Sequence, residues 1–211
     1  MKIKFVAIVG MGMLANPMIA QATPIVGAGS GLASSDQTLT FSEAGAIGES
    51  TAITNQFAAF GVNFSGGWDF QPDRFDPELV NPNMSGDSLN NFISFASGGN
   101  TPLFIEFTVQ QNAATFAMVS NFGTSTFTAL LGGAGGSIIE SFSAQLNGSS
   151  NNFFGFQDIV FDTIRIDVGG RFNALLIDNL QSAVAVPEPA TLGLLGLGLA
   201  GIGVARRKRA S

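Results

Sequence analysis

The sequence predicts an all-β fold, an antiparallel β-sandwich. Between Gln37 and Leu180 apolar residues recur at every second position, as in strands with one wetter face. Only one short segment carries helical spacing, and Gly, Asn and Pro clusters separate about nine strand-like stretches, which disfavours any βαβ arrangement.

Along the chain, the first element is an address. Lys2 and Lys4 precede an apolar run from Phe5 to Ala15, Asn16 and Pro17 break it, and Ala20-Gln21-Ala22 supplies a small-x-small cleavage pattern. Residues 1–22 therefore read as a secretory signal peptide cut after Ala22, the run being too short for a membrane anchor. Residues 23–36, with glycines from Gly27 to Gly31, read as a flexible lead-in, and residues 37–182 as the sandwich.

The clearest strands are Leu103 to Val109 and Ile164 to Val168, where Ile105, Phe107, Ile164 and Ile166 alternate with Glu106, Thr108, Arg165 and Asp167. Weaker alternation marks Thr38 to Phe41, Phe92 to Phe95, Thr115 to Val119, Thr126 to Leu131, Ile138 to Leu146, Phe153 to Phe156 and Ala174 to Leu180. Asn147-Gly148 predicts a tight turn and Gly132 to Gly136 an interstrand loop. In Thr54 to Gly61 the spacing of Phe57 and Phe60 predicts one or two helical turns, opened by Thr54 or Asn55 and closed by Gly61. Nineteen of the twenty phenylalanines lie beyond the leader, and there is no tyrosine. Phe buries area without a hydroxyl to satisfy, so these rings read as core.

Composition excludes much chemistry. There is no His, Cys or Tyr, and the only lysines are Lys2, Lys4 and Lys208, outside the body. Ser-His and Cys-His pairs, Schiff-base and P-loop lysines, thiolate or imidazole zinc sites and disulfides are unavailable. In the body Arg74, Arg165 and Arg171 stand against fourteen of the fifteen carboxylates, all but Glu188. A surface so acidic is unsuited to nucleic acid phosphate. The prediction is a non-catalytic domain. A glycan-cleaving enzyme built on two carboxylates is the alternative, with Glu106 and Glu140 as strand-borne candidates whose plain reading is a solvent-facing position.

The segment from Trp68 to Glu78 gathers four carboxylates, Arg74, two prolines and the only tryptophan. It reads as a solvated acidic loop, since it lacks the ligand series of an EF-hand. Two readings are open for Trp68: a core residue, or a flat face for stacking a sugar ring whose hydroxyls would meet Asp69 or Gln71. Asn81-Pro82-Asn83 and Asn90-Asn91 read as turn formers. Arg165 and Asp167, two apart on one strand, read as a surface ion pair worth about 0 to 1 kcal/mol.

At the other end, residues 183–190 read as a linker holding Pro187, Glu188 and Pro189, followed by a charge-free run over 191–205 and the basic cluster Arg206-Arg207-Lys208-Arg209 within residues 206–211. The prolines keep the motif extended. As a helix the run covers roughly 22 Å, short of the ~30 Å hydrocarbon core. Its five glycines suit close packing against another helix in lipid. The cations would stay on the cytoplasmic side.

This arrangement resembles the PEP-CTERM sorting signal of exopolysaccharide-producing Gram-negative bacteria, also known as an ice-binding-protein carboxyl-terminal domain. The resemblance implies an exosortase as processing partner at Pro187, Glu188 and Pro189. It also implies transient insertion of a hydrophobic sorting helix in the inner membrane, removal of the tail, and delivery to the cell surface or extracellular matrix. The runs Leu39-Thr40-Phe41-Ser42-Glu43, Ile53-Thr54-Asn55-Gln56-Phe57, Gly61-Val62-Asn63-Phe64 and Leu176-Ile177-Asp178-Asn179-Leu180 resemble a carbohydrate-binding-module-type jelly roll. That likeness implies association with exopolysaccharide and one structural calcium ion, held by an acidic residue near the first strand and another near the last, here Glu43 and Asp178.

Overall fold

The computed structural model describes residues 23–71, 83–84, 87–92, 101–120, 123–146, 151–169 and 174–185. The leader with Ala22, most of the acidic loop, the Asn147-Gly148 turn and the tail with Pro187, Glu188 and Pro189 lie outside them. The described residues are nearly all strand: β1 Thr23–Ala28, β2 Gln37–Leu39, β3 Ala52–Ile53, β4 Val62–Ser65, β5 Trp68–Gln71, β6 Ser88–Phe92, β7 Leu103–Ser120, β8 Gly123–Leu131, β9 Ser137–Leu146, β10 Phe153–Asp167 and β11 Ala174–Val184. They form one open antiparallel sheet in the order β3-β5-β6-β11-β7-β10-β8-β9, with β1 added to β10, β2 to β11 and β4 to β7.

Two long bent strands turn this sheet into a sandwich. Phe153 to Gln157 of β10 pair with β1 on one side and with Ala113 to Ala117 of β7 on the other. Thr163 to Ile166 pair instead with β8 and with Leu103 to Glu106 of β7. Between the two stretches the register shifts twice, and Asp158 takes a φ of 63°, so the strand bulges and changes direction. Each long strand thus belongs to both layers.

Ring contacts show the layers facing each other. Phe127 of β8 stacks on Phe154 of β10 at 5.3 Å and 5°, and lies 6.2 Å from Phe116 of β7. Phe142 of β9 meets Phe156 edge-on at 5.2 Å. None of these contacts joins ladder partners, since Phe127 lies opposite Ile166 in β10 and Phe154 opposite Phe116 in β7, so the contacts run across the core. A second cluster, of Phe41, Phe57, Phe64 and Trp68, packs in edge-to-face pairs at 5.3–5.9 Å. Trp68, Phe41, Phe57, Phe64, Phe70, Phe116, Phe127, Phe156 and Phe161 are all fully buried, as their lack of hydroxyls predicted.

Four expectations change. The lead-in begins with β1, which pairs with β10; Gly27, at φ +61°, sits where the register shifts between Val26 and Ala28, so this glycine makes a bulge. The helical segment is a single 3-10 turn, Ala58–Phe60, preceded by Phe57 rather than by a Thr54 or Asn55 cap, and Gly61 closes it at φ 76° as expected. Asn90 and Asn91 lie within β6, where the backbone ladder to β11 overrides their turn preference. The last strand runs through Val184, so the linker starts later than residue 183.

Candidate functional site

Trp68 does not offer a face to sugar. It is fully buried, packed edge-on against Phe64, and its indole N–H donates to the Phe104 carbonyl at 3.1 Å. The pairing of β5 with β3 and β6 brings Trp68 opposite Ile53, turning the indole inward and leaving its neighbour Asp69 half-exposed opposite Ala52. The glycan pair Trp68 and Asp69 is thereby split between interior and surface. Gln71 is buried as well, and the exposed large apolar side chains among the described residues are all Val or Ile.

Glu43 and Asp178 also occupy opposite environments. Glu43 is exposed on a 3-10 turn, and its Oε1 accepts from both the N–H and the hydroxyl of Thr40 at 2.9 Å. Asp178 is buried in β11 and accepts from the N–H of Asn179, a residue at φ 48° where the ladder to β7 shifts register. Asn179 donates from its side chain to the Asn83 carbonyl at 2.7 Å, and Asn83 donates to Asn152 Oδ1 at 2.8 Å. These are amide links fixing a bulge. Calcium requires six to eight oxygen ligands, and among the described residues no three acidic side chains come together. Glu43 and Asp178 are thus engaged locally, by Thr40 and by Asn179.

The two strand carboxylates stand apart. Glu106 accepts from the Ser65 hydroxyl and Glu140 from the Ser141 N–H. With β10 and β8 between their strands, their backbones are on the order of 14 Å apart at the usual strand spacing. Arg165 and Asp167 pair directly at 2.7 Å, both about one-third or more exposed, so the pair marks no site.

A carboxylate without a sequence signature is Asp162. Its oxygens accept from the N–H groups of Gly132 and Gly133 at 2.8 and 2.9 Å, and from Thr163 at 3.0 Å, pinning the β8–β9 turn to β10. Burial pushes its pKa up, but the hydrogen bonds from Gly133, Gly132, Thr163 and its own backbone together outweigh that and leave it lowered.

The remaining functional region is the junction of body and tail. On one side of β11, Leu180 to Ser182 pair with β2; on the other, Val184 lies opposite Gln111 of β7. Beyond the end of β2, Asp36 takes over: its N–H donates to Ser182 O at 2.9 Å and its Oδ2 accepts from Val184 N–H at 2.8 Å. Ala185 N–H donates to Gln110 O at 2.9 Å, the last described hydrogen bond of the chain. Neither Asp36 nor Gln110 has a sequence signal, since each acts through the pairing of strands far apart in the chain.

Residues 185–209 match the PEP-CTERM protein-sorting motif. The chain thus carries a sorting signal of exported, exosortase-processed surface proteins on an all-β body. No curated protein matches the sequence. Among solved structures, the chain is similar to the enzymatically active domain of tailspike protein 4 from bacteriophage CBA120, at 12% identity and a TM-score of 0.31. That match covers 65% of this chain and 21% of the tailspike chain. Among the described residues no helix is long and apolar enough to cross a membrane, and the expected sorting helix over 191–205 lies outside them.

Proposed function

We propose that this chain is a non-catalytic structural component of the cell surface or exopolysaccharide matrix of a Gram-negative bacterium. An exosortase delivers it there by removing the tail after transient insertion in the inner membrane. The observation that carries this reading is the sorting motif joined directly to a body whose rings face inward. Such a body is a packing unit. Aromatic stacking on glycan has no platform at Trp68, so association with the matrix falls to polar and acidic surface.

The test is to incubate the purified mature body with the host's own exopolysaccharide. Unchanged polymer length supports the structural reading, with retention on the polymer measuring association. Shortened chains overturn it in favour of a carboxylate-dependent glycan-cleaving enzyme.

A further inference from the structure

We infer that the folded body competes with the processing enzyme for the start of the sorting segment, and that Asp36 sets the strength of its hold. The inference rests on the reading that the tail is cut. The sorting motif begins at residue 185, yet residue 185 is still bonded to the sheet through its N–H to Gln110 O. One residue earlier, the N–H of Val184 is taken by the Asp36 carboxylate. The two N–H groups point to opposite neighbours, so the chain is gripped from both edges up to the motif itself. Only Val186 separates the last gripped residue from Pro187.

Peptidases receive their substrates as extended strands and pair with the backbone beside the cut. An enzyme acting at Pro187, Glu188 or Pro189 thus needs the backbone of residues just upstream. An N–H that donates to Asp36 or Gln110 cannot donate to the enzyme at the same time. Productive binding therefore requires the end of β11 to peel away, and each bond to be broken lowers the fraction of chains ready for cutting. Asp36 is a positioning residue in this scheme. It replaces the strand partner that β2 no longer supplies beyond Ser182, and its charge makes the bond to Val184 stronger than a neutral one.

Pulse–chase of the full chain in its native host, following tail loss by mass, tests this with variants of opposite sign. Asp36→Ala removes one grip, and tail loss should speed up by about threefold to tenfold, the worth of one hydrogen bond whose charge is screened by solvent. The double variant Gln110→Cys, Ala185→Cys introduces the only two cysteines of the chain at cross-strand positions within disulfide reach. Once oxidised it should slow tail loss by about tenfold or more, and reductant should restore the rate. Ala185→Cys alone should be processed like wild type. Equal rates in all variants, with the wild type cut, overturn the competition alone. A wild-type chain that keeps its tail overturns the processing reading and this inference with it.

Discussion

Single side chains decide which surface is available. The only tryptophan serves the core, and its burial makes it a reporter: its fluorescence should resist acrylamide in the native state and stay unchanged on addition of the host polysaccharide. Trp68→Phe leaves the Phe104 carbonyl without its donor and should cost about 1–3 kcal/mol in denaturant unfolding. Asp162 acts at the surface. Because its folded pKa lies below the ordinary 3.8, its stabilisation is complete above that value and is lost as pH falls through the folded one. The thermal melt of Asp162→Asn should therefore fall below wild type at pH 7, and the gap should narrow as the pH is lowered below 3.8; a gap independent of pH would contradict the role given to the carboxylate. The sequence offered Trp68 two roles because a lone indole flanked by Asp69 and Gln71 suits either; only the pairing of β5 with β3 and β6 decides between them.

At the scale of elements, alternation located the strands but divided the longest ones. Leu103 to Val109 and Thr115 to Val119 are two ends of β7, while Phe153 to Phe156 and Ile164 to Val168 mark the ends of β10. A bulge inserts an extra residue, reverses the inward and outward positions, and looks like a break in the pattern. Gln110 to Asn112 and Asp158 to Val160 therefore read as gaps, although they are the bends that fold one sheet into two layers. In the same way the glycines of residues 27–31 hid β1. The two long strands approach closely at Gly155, where an added Cβ would collide with the Ala114 carbonyl in the neighbouring strand. Gly155→Ala should lower stability by about 1–3 kcal/mol, measured by urea unfolding. An unchanged midpoint would show that the two long strands are not so closely joined at the bend.

For the whole molecule, the all-β class and the terminal signal were both legible because each rests on local pattern: strict alternation in one, and a Pro-Glu-Pro motif, an apolar run and a basic cluster in the other. What joins them was not legible. That β11 ends one residue before the motif, held by Asp36 and Gln110, depends on pairings across most of the chain's length. The body is acidic and the chain cysteine-free, so an exported body stands on its hydrophobic core, in which Leu, Ile and Val side chains join the aromatic rings, without a disulfide. The most direct test of the central claim is the intact mass of the protein recovered from the surface fraction of its native host. The account predicts a chain that has lost everything beyond the Pro187-Glu188-Pro189 region, with no Arg206-Arg207-Lys208-Arg209 cluster. A surface protein that still carries those four cationic residues would contradict it.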